Sequence, residues 1–324
     1  MSNSTRWLFR PVLTTVTILS IGAGIWCAFR GKHDEFATLS GHQTPVFSLA
    51  LSPSGKLAAS GDADGYVRLW DLATQRTQQE LRGHTGKVLG LAWSPDSKTI
   101  VTAGEDLSIR LWNAETGKEL KLLAQVPDCV HSLAYSNDGA LLAAAVDRDV
   151  LIWNLKEARK LKVLRGHQRA ISGLSFLNGR AELVTFAHDT TVRIWDVEKT
   201  KIIKVMPGPA GHCYGLAVSP DQKTIACVGG GRVHLYDAVR RQPTELVEPD
   251  ARIICGVAFS PDGKLLAIGS QDKEVVLWDI QGKEELDRLN GHRYAVGPLA
   301  FLPDGDTLVT SSHDSSLKLW KVKQ

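Results

Sequence analysis

The sequence predicts an all-β fold in which seven four-stranded antiparallel units close into a ring, preceded by one N-terminal helix over residues 10–29. Three observations predict it. A phrase ending in tryptophan returns at positions 70, 112, 153, 195, 278 and 320, with Tyr236 in the remaining place, at steps of 41 or 42 residues. Self-similarity at that period is the mark of a radial repeat array. Beyond residue 35 the apolar residues fall in short β-branched runs broken by turn residues, with no helix-period stretch. Ahead of it, "PVLTTVTILSIGAGIWCAF" (11–29) carries no charge.

That first segment comes first in the chain. As a helix it would span about 28 Å, close to the thickness of a hydrocarbon core. Trp7 and Trp26 stand where interfacial aromatics are expected. Residues 1–33 are read as an anchor on the membrane, single-pass, in contact with the lipid bilayer through residues 10–29. A cleaved signal peptide is the alternative, with Arg6 and Arg10 as its basic end and "GAG" (22–24) as its small residues. Trp26 and Phe29 crowd that cleavage zone, and Trp26 makes Cys27 a poor lipidation site. Basic residues flank both ends (Arg6 and Arg10; Arg30 and Lys32), and their balance leans toward a propeller on the non-cytoplasmic side.

Residues 34–324 hold the repeats. Each unit opens on Gly-His (41–42, 83–84, 166–167, 291–292) and continues into a strand such as "VFSLALS". A tight turn follows, "SPSGK", "SPDSK" or "SPDGK", in which Pro pre-sets one backbone angle and Asp or Gly suits the rest. A second strand ("KLAAS") rises to an Asp-bearing turn. The third strand ends in Trp, and a fourth ("QQELR", "LKVLR") leads to the next unit. In "VRLW", Val67 and Leu69 point one way, Arg68 and Trp70 the other. A small sheet apolar on both faces needs neighbours on each side, and a ring supplies them.

Through Gly-His, Ser-Pro-Asp-Gly and Trp-Asp at this spacing, residues 36–324 resemble the WD-repeat seven-bladed β-propeller family. The resemblance implies that residues 36–40 complete the last blade, so that the two ends of the domain clasp and a free sheet edge is removed. It also implies a hydrogen-bonded chain of four side chains within a blade. By position these are His42, Ser60, Asp64 and Trp70; His84, Thr102, Asp106 and Trp112; His167, Thr185, Asp189 and Trp195; His292, Thr310, Asp314 and Trp320. Three blades depart. The third has Val126 and Ala144, the fifth Pro209, Cys227, Gly230 and Tyr236, the sixth Asp250 and Ile268. A Ser/Thr-His-Asp set also suggests a catalytic triad, but here it recurs four times and Trp occupies the hydroxyl. No catalytic residue, metal site or cofactor is expected.

The resemblance places partner binding on the face built from the loops before the first strand and between the second and third. Phe47, Lys87, Leu89, Glu105, His131, His188, His212, Tyr214, Gln271 and His313 fall there, with Pro45 and Ala63. Phe47, Leu89 and Tyr214 are apolar or aromatic where solvent is expected. The histidines come from separate blades, too spread to converge on one ion.

Charge excludes a class. The net +3 arises from the first 33 residues, which hold four basic side chains and no acid; the rest carries 34 basic and 35 acidic groups. A near-neutral body has no footprint for a phosphate backbone, so no nucleic acid is expected. Five cysteines fit no zinc pattern, though a Cys213–Cys227 bridge is conceivable in an exported domain. The expected function is a non-enzymatic scaffold, monomeric and membrane-tethered, that docks unidentified protein or peptide partners. The alternatives are a propeller enzyme or small-ligand binder using the central channel, and a secreted soluble propeller.

Overall fold

The computed structural model describes residues 35–157, 159–177, 179, 181–211 and 213–322, Cys213 by its backbone alone. The expected helix over residues 10–29, and with it the anchor, lies outside the described residues. Among the described residues no helix is long and apolar enough to cross a membrane.

Seven four-stranded antiparallel sheets form the blades of a propeller. Blade 1 is typical: strands Val46–Leu51, Leu57–Asp62, Val67–Asp71 and Arg76–Leu81 run from axis to rim, each paired with the next. The chain descends, rises, descends and rises again. An upper face therefore carries the inter-blade loops and the second-to-third-strand turns, and a lower face carries the other turns. The first-to-second-strand turns close as their composition dictates. Ser94 Oγ donates to Asp96, whose carboxylate accepts the Lys98 N–H, and Ser136/Asp138, Ser219/Asp221 and Ser260/Asp262 repeat the device.

Blade 7 is assembled from both ends of the domain. Strands Val296–Phe301, Thr307–Ser312 and Ser316–Lys321 are completed by Glu35–Ser40, in the order that places Glu35–Ser40 outermost. Its register sets Leu39 against Leu317 and Glu35 against Trp320. Leu39 is buried between blades 7 and 1 with Val46, Trp70 and Val309. At the lower end Lys318 Nζ sits 2.7 Å from Glu35 Oε1.

Seven apolar clusters among the described residues occupy the seven gaps between blades. The alternation in "VRLW" explains how one strand feeds two of them. Val67 and Leu69 pack toward blade 2, while Trp70 packs toward blade 7. Near the axis the inner strands converge, and side chains shrink to fit. A Cβ on Gly256 would lie 2.5 Å from the Gly297 carbonyl oxygen, and one on Gly173 would lie 2.8 Å from Leu216 Cβ.

Two sequence expectations meet the register here. Cys213 stands opposite Gly229, and Cys227 opposite Leu216, so the two cysteines are diagonal rather than facing. Tyr236, which replaces Trp in blade 5, is fully buried, and its hydroxyl donates to the Pro207 carbonyl at the end of blade 4. Where blades 1, 2, 4 and 7 bond internally, this one bonds across the gap.

Candidate functional site

The rigidity of the loop face begins with the buried polar chains beneath it. In blade 4 the Trp195 indole N–H donates to Thr185 Oγ1 at 2.8 Å, and Thr185 Oγ1 lies 2.7 Å from His167 Nε2. His167 Nδ1 lies 2.9 Å from Asp189 Oδ2, which also accepts the Gln168 N–H. The Nδ1–H tautomer satisfies every link: indole to hydroxyl, hydroxyl to ring nitrogen, ring N–H to carboxylate. Blades 2 and 7 repeat the chain through Trp112, Thr102, His84 and Asp106, and through Trp320, Thr310, His292 and Asp314. The hydroxyls of Ser60, Thr102, Thr185 and Thr310 belong to residues fully excluded from solvent, with indole packed over them, so no substrate reaches them.

Blade 1 corrects one residue. The carboxylate on His42 Nδ1 belongs to Asp62, at 2.7 Å, and not to Asp64, which is exposed. The cause is two residues further on. Asp106, Asp189 and Asp314 are held by hydroxyls of Ser108, Thr191 and Ser316 at 2.6 to 2.8 Å. Asp64 is followed by Tyr66 at that position, which offers no such donor. Asp62 takes the role and also accepts the N–H groups of Asp64 and Tyr66.

Burial pushes the His84 and His167 pKa values down from 6.5, against the pull of Asp106 and Asp189. For Asp314, burial works to raise the pKa, but hydrogen bonds from His292, Ser316 and the Arg293 N–H outweigh it and hold the carboxyl below its usual range. Both effects give one sign. A histidine with a lowered folded pKa is protonated first in the unfolded chain, so its contribution is intact above about pH 6.5 and lost as pH falls below it. The carboxylate contribution is lost only below about pH 3.8. Thermal unfolding is therefore expected to show a Tm that falls between pH 7.5 and 5, with a second decline below 4. A His84→Gln variant should reduce the first decline; a flat Tm from pH 7.5 to 5 would contradict this account.

Toward the upper face the second residue of each inner strand is one variable position: Phe47, Leu89, His131, Ser172, Tyr214, Cys255 and Gly297. The channel has a volume of about 240 Å³ and is walled by a belt that includes Leu49, Leu91, Leu133, Leu216, Val257 and Leu299. Leu89, His131 and Tyr214, expected on the partner-binding face, line it together with Ser172 and Cys255. Those two were legible from register, since each follows the first residue of its strand as Phe47 does; polarity hid them. Burial raises the Cys255 thiol to about 11.

The remaining expected residues form a chain across three blades. The rings of Phe47 and His313 lie 4.9 Å apart, Lys87 Nζ stands 5.6 Å over the Phe47 ring, and Lys87 bonds Glu105 at 2.7 Å. Burial lowers the His313 pKa. His188 and Gln271 stand on the same face in blades 4 and 6, His188 half-buried and Gln271 exposed. His212 lies outside the described residues. Tyr294, exposed beside His313 on this face, was not anticipated; its place one residue after the Gly-His of blade 7 and one further on is the signal that could have found it. Among the described residues no three His, Cys, Asp or Glu side chains converge as metal ligands would.

Comparison with known proteins agrees with this architecture. A family model described as "IFT122 first beta-propeller" matches residues 129–324, and one described as "WD domain, G-beta repeat" matches residues 34–71 and 75–113. The chain is 32% identical over 265 residues to the small ribosomal subunit protein RACK1y of Oryza sativa subsp. japonica, covering 76% of this chain and 78% of that one. It is 26% identical over 174 residues to the WD repeat-containing protein VIP3 of Arabidopsis thaliana, covering 49% of this chain and 54% of that one. It is 29% identical over 276 residues to the periodic tryptophan protein 2 homolog of Mus musculus, covering 79% of this chain and 26% of that one. The chain thus spans about half or less of the length of the last two.

Proposed function

Because the chain belongs to the WD-repeat β-propeller family, we propose that it is a non-enzymatic, monomeric platform that docks protein or peptide partners on its upper face. One observation carries this reading. Exposed or half-exposed Phe47, His313, Lys87 and Glu105 are linked across blades 7, 1 and 2, beside a channel mouth that presents Tyr214. Aromatic rings flanked by charges on rigid strands suit a contact patch whose ordering cost is met before the partner arrives. One relative is named as a protein of the small ribosomal subunit. A Phe47→Ala, Tyr214→Ala double variant is expected to lose at least tenfold in partner capture, with Tm unchanged. Equal capture would reject this face.

The same reading places the platform at a membrane through residues 10–29, with the propeller on the non-cytoplasmic side. The support is the charge-free run over residues 11–29, with Trp7 ahead of it and Trp26 near its far end. Sequencing the mature N-terminus tests it. An intact Met1 or Ser2 is expected, and a start near residue 25 would favour the secreted alternative. Protease shaving of intact cells tests the side.

A further inference from the structure

The lower face is electrically layered. At the third-to-fourth-strand turns the strand-ending carboxylates fold inward to accept turn N–H groups: Asp196 from Lys199, and Asp237 from Val239 and Arg240. The cations beside them stay out. Lys199 is 73% exposed against 23% for Asp196, and Arg240 is 76% exposed against 24% for Asp237. A surface can be near neutral in count and still present its positive charges first.

Blade 6 repeats the layering at Lys264 and Asp262, and blades 3 and 4 add further cations. The turn and outer strand of blade 3 contribute Lys156, Arg159 and Lys160, and those of blade 4 contribute Lys199 and Lys201. Lys156, Lys160 and Lys201 make no ion pair among the described residues. Glu157, bonded to Arg159, and Glu198 are exposed acids of these turns, and Asp138 and Asp221 are exposed on the first-to-second-strand turns of blades 3 and 5. On the opposite side, the outer strand of blade 6 reads "EELDRLN". Aliphatic side chains stand among the cations: Val239 at the tip of the blade 5 turn, 70% exposed, and Ile202 on the outer strand of blade 4.

We propose that the lower face, through blades 3 to 5, rests on a surface of anionic lipid headgroups. Lysines interspersed with exposed aliphatics match a headgroup layer, which offers anionic charge above and hydrocarbon just beneath. Nucleic acid fits less well, because no large aromatic ring is exposed on this part of the face among the described residues for bases to stack on. Position agrees. Glu35 pairs with Trp320 at the lower end of blade 7, so the chain enters the propeller through this same face. The inference rests on the reading of residues 10–29 as an anchor, and it leaves the upper face free for partners.

The test is partition of the full-length chain onto vesicles of neutral phosphatidylcholine, and onto vesicles with 30% phosphatidylglycerol. The variant is Lys156→Glu, Lys201→Glu, Arg240→Glu, three exposed positions whose substitution leaves the core untouched. Each cation near such a surface is worth about fivefold in binding, so the wild-type preference for anionic vesicles is expected to fall on the order of 100-fold in the variant. It should also weaken with salt. Equal preference in both proteins would overturn the proposal. So would tighter binding to poly(U) RNA or a poly-glutamate peptide than to the vesicles, lost in the same variant. Binding to neutral vesicles reports residues 10–29 separately: its loss with the anionic preference intact would reject the anchor and keep the lower face.

Discussion

A Trp195→Ala variant is expected to lose about 3–5 kcal/mol of unfolding free energy. The ring is nearly fully buried between blades 3 and 4, packed with Ile171, Leu183 and Ile152. Its removal leaves a cavity at a gap where two rigid sheets limit collapse. A second variant separates packing from polarity. Thr185→Val keeps the shape but leaves the Trp195 N–H and His167 Nε2 facing a methyl group, two buried polar groups without a partner. Each such group costs about 1–3 kcal/mol, so the loss should be about 2–6 kcal/mol. Trp278→Ala supplies the contrast, because that ring is partly exposed and Ile268 stands where the hydroxyl would be. The denaturant midpoint of Trp195→Ala should fall below that of Trp278→Ala. The reverse order would mean that the buried chain adds nothing beyond bulk.

The second large effect is expected at the ring's seam. Leu39→Asp places a carboxylate among the apolar side chains of Val46, Trp70, Val309 and Leu317. An unpaired buried charge belongs to the small class of substitutions that cost about 4–5 kcal/mol or more. The chain has a cheaper escape than global unfolding, which is release of Glu35–Ser40 from blade 7. Limited proteolysis of the variant should therefore cut near residues 35–40 before any other site. Uniform digestion, or stability like the wild type, would show that the seam does not depend on this contact.

Much of the fold was legible because one physical unit is written seven times. Misreading a single blade could not hide the period, and turn residues such as Asp96 and Gly263 fixed where strands end. The site was legible in the same measure that it depends on register. Phe47, Leu89, His131 and Tyr214 share one position in the repeat, and the structure brings the last three to the channel. What escaped depends on a single blade's chemistry or on ring closure. Asp62 replaces Asp64 where Tyr66 stands in place of the Ser or Thr whose short side chain holds the turn carboxylate in blades 2, 4 and 7. The pairing of Phe47 with His313 joins opposite ends of the domain, and repeat period alone does not show which rings touch. The layering of charge on the lower face is invisible in a composition near neutrality, because it comes from how turn carboxylates fold under neighbouring lysines.

The outermost strand of blade 7 has a mechanical meaning. Five paired positions join Glu35–Ser40 to Ser316–Lys321, antiparallel, with Glu35 at the lower end. Tension drawn straight down through Glu35 acts along that strand, so the paired bonds share the load and must slide together. Sideways tension would strip them one after another from the Lys318 contact upward. The propeller therefore resists a tug normal to its lower face far better than a drag across it, a directional clutch built from the way its circle is fastened.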